Sequence, residues 1–130
     1  MMFVDASVIV AILGNEPDRD EFVGRLDQAV SCVSSTVALF EAVLALSKRL
    51  GGLETAIAMV DEFVSRLNMS IESVDRSLLP GLVDAHGRFG KGSGHPARLN
   101  MGDCFSYAMA KRAGMPLLYK GDDFAQTDLA

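Results

Sequence analysis

The charges of this chain are unevenly spaced, and three acidic residues stand alone inside long uncharged stretches. Asp5 is the only charged residue before Glu16, Glu41 the only one between Asp27 and Lys48, and Asp103 the only one between Arg98 and Lys111. A fourth acidic spot, Asp122-Asp123, follows the apolar run Leu117-Leu118-Tyr119. An ionised carboxylate in apolar surroundings is costly unless a cation, a proton or a set of hydrogen-bond donors neutralises it. Four such spots, scattered along one small chain, imply a fold that gathers them around a divalent metal ion.

A length of 130 residues fits one domain, spanning 1–130, with room for a real core. With 49% apolar and 22% charged residues the chain reads as a soluble globule rather than a disordered segment. The net charge of −5 argues against indiscriminate nucleic-acid binding, but it is not evenly shared. Residues 1–75 carry 5 basic and 12 acidic side chains, whereas residues 76–130 carry 7 basic and 5 acidic. Between Ala85 and Gly121 six Lys or Arg and both histidines surround the one acid Asp103, a local excess able to attract phosphates. Cys32 and Cys104 form no CxxC pair and have no zinc-like His spacing, so both are expected as buried small apolar residues in a reducing compartment. No basic segment followed by a cleavable apolar stretch opens the chain, and no run is long and apolar enough to span a bilayer. The expected setting is the cytoplasm, away from membranes.

Along the chain, short apolar runs alternate with helical patterns. Met2-Phe3-Val4-Asp5 reads as a buried strand ending in an acid, with a helix over Ser7–Leu13 and another from Pro17-Asp18 to about Gln28. Ala29–Val33 reads as the second strand. Ser34-Ser35-Thr36 then caps a helix expected to bury Val37, Phe40, Leu44 and Ser47 and to stop at Gly51-Gly52. A helix over Leu53–Leu67 should turn Ile57, Val60 and Val64 inward, followed by a strand at Met69–Val74 and a helix from Asp75 to about Phe89. Gly90–Gly102 reads as a polar loop outside the core, Asp103–Ala113 as a helix ended by Gly114, Pro116–Tyr119 as the fourth strand, and Gly121-Asp122-Asp123 as the start of a last turn. This alternation predicts an α/β sandwich around a parallel sheet, whose ligands bind beyond the carboxyl ends of the strands. The lone acids fall on that rim.

Each acid also has an ordinary reading. Asp5 can cap the helix after it. Asp103 suits the first turn of a helix through the macrodipole, and Asp122 and Asp123 suit a turn. Glu41 is harder to explain so, because it lies mid-helix with no Lys or Arg three or four residues away. The set as a whole favours a site. Hard oxygen donors without clustered Cys or His favour Mg²⁺, or Mn²⁺, over zinc or copper. Carboxylate-held Mg²⁺ activates water and takes phosphate oxygens as ligands, so metal-dependent phosphodiester hydrolysis is the chemistry that fits best. Gly90-Lys91 superficially matches the end of a P-loop, but it follows a helix, Ala85 stands where Gly is needed, and Gly92 replaces the Ser/Thr. His95 reads as a loop residue able to meet phosphate.

Phe3-Val4-Asp5-Ala6-Ser7, the helix bearing Glu41, and the block GKGSGHPARLNMGDCFSYAMAKRAGMPLLYKGDDFAQTD from Gly90 to Asp128 together resemble PIN-domain ribonucleases, particularly the VapC toxins of bacterial toxin–antitoxin pairs. The resemblance implies a three-layer α/β/α sandwich with a central four- to five-stranded parallel sheet and a Mg²⁺-dependent endoribonuclease, usually a homodimer. It implies RNA as substrate and a cognate VapB-type antitoxin as inhibitor, with DNA met only through that antitoxin. Carried over by motif, Asp5 and Asp103 are the principal metal ligands and Glu41 the third acid. Asp123 is favoured as the fourth, by the GxDF pattern, with Asp122 as neighbour or substitute. Ser7 and Ser106 suit support of the ligands or phosphate contact, as do Lys91, His95 and Arg98. Two competing classes remain: a phospho-acceptor receiver domain, which would need paired acids after its first strand where Asp5 is single, and a non-catalytic partner-binding domain, whose mark would be a missing acid.

Overall fold

Phe3 and Val4 point to opposite sides of one strand, and each side has its own core. In the computed structural model, which describes residues 1–130, β1 (Met2–Val4) lies between β2 (Cys32–Ser35) and β4 (Leu117–Leu118), and β3 (Ser70–Glu72) pairs with β2. All pairings are parallel, in the order β3-β2-β1-β4. Parallel neighbours cannot be joined by tight hairpins. Helices therefore make every crossover: α1 (Ala6–Leu13) and α2 (Arg19–Gln28), then α3 (Thr36–Ser47) and α4 (Leu53–Arg66), then α5 (Leu79–Phe89) and α6 (Met101–Ala113). Val4, Cys32 and Leu118 pack into a core under α1 to α4, while their neighbours Phe3, Val33 and Leu117 pack into a second core with α5 and α6. Period-two alternation thus makes the three layers, and each fully buried side chain such as Phe3 or Val4 contributes about 1.5–3 kcal/mol.

Four expectations need correcting. The second strand is not Ala29–Val33 but Cys32–Ser35, because pairing of Met2 with Cys32 sets its register and leaves Val30 exposed. Ser34 and Ser35 are fully buried as a result: Ser34 Oγ donates to the Val4 carbonyl at 2.8 Å, and Ser35 Oγ accepts from the Ala38 amide as the cap of α3. Secondly, α3 buries Ala38, Ala42 and Leu46, with Phe40 and Leu44 exposed. This helix packs against α1, α4 and α6 at once, and small side chains permit that close approach where Phe40 would not fit. Thirdly, Ile57 of α4 is exposed, the buried stripe there being Ala56 and Val60. Fourthly, the polar loop sends Ala97 and Leu99 into the second core, Leu99 bridging to Gly90, and α6 begins at Met101 behind the cap Asn100. Both cysteines are buried and unpaired, and no helix is long and apolar enough to cross a membrane.

The tail closes over α6. Phe124 is buried in a short 3-10 turn, and Asp128 accepts from the Tyr107 hydroxyl and, at 2.6 Å, from Lys111 Nζ.

Candidate metal centre

The carboxyl ends of β1 and β4 open into a cleft of about 350 Å³ lined by Asp5, Ser7, Glu16, Glu41, Asp103 and Lys120, among others. Asp5 is its most rigid part. Its backbone is extended at the end of β1, its amide donates to the Leu118 carbonyl at 3.0 Å, and its carboxylate caps α1. Oδ2 accepts from the Ser7 amide at 3.0 Å and the Ser7 hydroxyl at 2.6 Å, while Oδ1 accepts from Ser106 Oγ at 2.6 Å. Ser7 Oγ in turn accepts from the Lys120 amide at 3.0 Å, so the end of β4 braces the same carboxylate. Asp5 is only 5% exposed.

Asp103 is placed by a reciprocal cap. Asn100 Oδ1 accepts from the Asp103 amide at 2.8 Å and Asp103 Oδ2 accepts from the Asn100 amide at 3.0 Å, which fixes the first turn of α6. Burial raises its pKa to about 7; the Asn100 amide opposes this, and the charges of Asp5 and Asp123 add to it. Glu41 enters from α3, its carboxylate resting against Gly102 of α6. Its pKa is also raised to about 7, first by burial and then by the charge of Asp5. None of the ion pairs of the protein involves Asp5, Glu41 or Asp103.

Of the other sequence candidates, Asp123 is exposed but close enough to Asp103 to shift its titration. Asp122 is exposed on the turn after Gly121, and neither it nor Asp123 is among the residues lining the cleft. Lys91 lines a different, mostly apolar cleft of about 590 Å³ between α5 and α6. His95 packs edge-on against Phe89 and accepts from the Ala97 amide through Nδ1, which commits that nitrogen to the loop. Arg98 is exposed at φ +52°.

Two residues of the cleft escape a reading by spacing. Lys120 Nζ pairs with Glu16 at 2.7 Å and Asp18 at 3.0 Å, and Glu16 also pairs with Arg49 at 2.6 Å. Hydrogen bonds from Lys120 and Arg49 hold the Glu16 pKa below the ordinary carboxylate range. The one available signal is position: Lys120 follows the fourth strand directly, on the rim where ligands bind.

The donor set fits a hard divalent cation. Its oxygens are carboxylates without basic partners, and the raised pKa values of Glu41 and Asp103 record burial first and nearby negative charge second, both of which a cation would offset. No three side chains converge into a ready-made metal shell. A cation here would draw on one or two of these carboxylates and on water for its remaining ligands.

Comparison with known proteins identifies the family. The PIN domain family model matches residues 2–129. A VapC ribonuclease of Rhizobium meliloti is 46% identical, covering 99% of both chains, and a ribonuclease VapC of Mycolicibacterium smegmatis is 38% identical, covering 99% of this chain and 98% of its own. The crystal structure of the Mycobacterium tuberculosis toxin VapC20, described as cleaving the sarcin-ricin loop, superposes with a TM-score of 0.75 over 96% of this chain and 93% of that one. At 22% identity that likeness speaks for the fold. With a four-stranded parallel sheet between helical layers and full-length relatives of this kind, the chain belongs to the PIN-domain family, among its VapC ribonucleases.

Proposed function

We propose that this protein is a divalent-metal-dependent endoribonuclease, the toxin of a toxin–antitoxin pair, cutting RNA phosphodiester bonds with Mg²⁺ or Mn²⁺. The observation that carries the reading is the meeting of Asp5, Glu41 and Asp103, from three distant segments, in one cleft without a basic partner for any of them. Asp5 and Asp103 would hold the ion, with Asp123 as the fourth acid rather than Asp122, supported by its electrostatic contact with Asp103.

The bound ion would supply charge for a phosphate oxygen and acidify a coordinated water. The chain itself does the rest. Ser7 and Ser106 hold the Asp5 carboxylate in one orientation at the cleft, so no search through rotamers precedes binding. Glu41, across the cleft, orients the attacking water and accepts its proton. Lys120 at the rim is already paired with Glu16 and Asp18, and its amide holds Ser7 against the Asp5 carboxylate. The protein is proposed to work in the cytoplasm as a homodimer, silenced by a VapB-type antitoxin and reaching DNA only through it.

The test is cleavage of RNA by purified, inhibitor-free protein. Mg²⁺ or Mn²⁺ should be required, and Asp5→Asn and Asp103→Asn should abolish cutting while remaining folded. A folded wild-type protein that binds the metal and leaves RNA intact would favour a non-catalytic partner domain.

A further inference from the structure

Gly102 lies inside α6 with no left-handed backbone to justify a glycine, a residue that weakens helices. What justifies it is its neighbour across the cleft. A methyl group built on Gly102 would overlap the Glu41 carboxylate, both oxygens and the carbon between them, and no other group crowds it as closely. Glu41 has a long side chain and no ion-pair partner, so contact rather than charge must fix where its carboxylate rests.

We infer that Gly102 is a positioning residue: its bare Cα is the seat of the Glu41 carboxylate and holds it within the acidic cleft. The inference rests on the proposed metal-dependent reading of that cleft. Any side chain at position 102 would displace the Glu41 carboxylate from this seat, whereas Asp5 is held by its own serines. The substitution Gly102→Ala should therefore separate two properties that normally move together. Metal-free protein should be as stable as wild type or more so, since alanine favours the helix. Mn²⁺ affinity and RNA cleavage should each fall about tenfold to a hundredfold, the usual cost of losing support for a metal-site carboxylate.

The experiment is a double-mutant cycle read by Mn²⁺ titration calorimetry, thermal unfolding of the metal-free protein, and RNA cleavage. Glu41→Asp, shorter by one methylene, should weaken wild type yet recover part of the loss in Gly102→Ala, because it clears the new methyl. In a Glu41→Ala background Gly102→Ala should leave Mn²⁺ affinity and cleavage where Glu41→Ala alone puts them. Equal Mn²⁺ affinity in wild type and Gly102→Ala would overturn the inference, as would destabilisation by Gly102→Ala that persists in the Glu41→Ala background. Wild-type protein that neither binds Mn²⁺ nor cuts RNA would instead overturn the reading of the cleft itself.

Discussion

Ser106 and Asp5, 101 residues apart in sequence, are joined by a hydrogen bond of 2.6 Å from the buried serine hydroxyl to Oδ1 of the carboxylate. The bond ties the second turn of α6 to the end of the central strand, so the helix that carries Asp103 is locked to the strand that carries Asp5. Replacing Ser106 by Ala leaves one oxygen of a buried carboxylate without a donor. Hydrogen bonds to charged groups are worth about 1.5–3 kcal/mol, and urea denaturation should show a loss of that order. Calorimetry should show weaker Mn²⁺ binding as well. Unchanged values for both would mean that Asp5 is held by Ser7 alone.

The metal-free protein should lose stability as pH rises through the weakly acidic range. Glu41 and Asp103 titrate near 7 in the folded protein, whereas carboxyls in the unfolded chain lose their protons near pH 4. Between those values the folded state holds more protons than the unfolded state, so stability falls with rising pH and levels off above about 7. Glu16, Asp75 and Asp128, all with lowered pKa values, act in the opposite sense and below this window, losing their contribution as acid protonates them. Chemical denaturation across pH 4.5 to 7.5, a range chosen to span that window, should show the slope in metal-free protein. Saturating Mn²⁺ should remove it, and Glu41→Gln should reduce it. A flat profile without metal would show that the two carboxyls are not under strain.

Asp128 should matter more for holding the tail than for chemistry. It receives the hydroxyl of Tyr107, whose ring is 1% exposed and whose pKa is pushed up to about 12 by burial and by Asp128. Asp128→Ala leaves that hydroxyl without its acceptor and should cost about 1–3 kcal/mol, with Asp128→Asn costing less because an amide oxygen still accepts. Because Asp123 sits on the same tail, limited proteolysis should cut Asp128→Ala faster after Tyr119 than wild type. Equal protease resistance would show that Phe124 alone anchors the segment.

Part of the rim was legible from sequence because β1 is a short apolar run that ends at Asp5 and β2 leads into the helix of Glu41, and parallel sheets put such ends together, whereas Asp122 and Asp123 after β4 lie exposed outside the cleft. The ordinary readings of two of these acids hold. Asp5 does cap α1 and Asp103 does complete a capping box, and the same geometry aims both into the cleft. Other features were hidden for physical reasons. Hydrophobicity points Phe40 and Leu44 of α3 inward, but tight packing on three neighbouring helices selects Ala38 and Ala42 instead. The register of β2 depends on its partner strand, which no local propensity encodes. Glu16 and Lys120, 104 residues apart, meet only in the tertiary fold, and Gly102 looks like any helical glycine until Glu41 is seen against it.

The central claim is that the cleft shared by Asp5, Glu41 and Asp103 takes up a hard divalent cation and uses it to cut RNA. Its most direct test is a Mn²⁺ titration of wild type, Asp5→Asn, Glu41→Gln and Asp103→Asn, each checked for folding and assayed with the same RNA. Binding and cleavage should be strong in wild type and should fall together in every variant, with chelator abolishing the wild-type activity. RNA cleavage that survives chelation, or that persists in folded Asp5→Asn and Asp103→Asn proteins, would contradict the account.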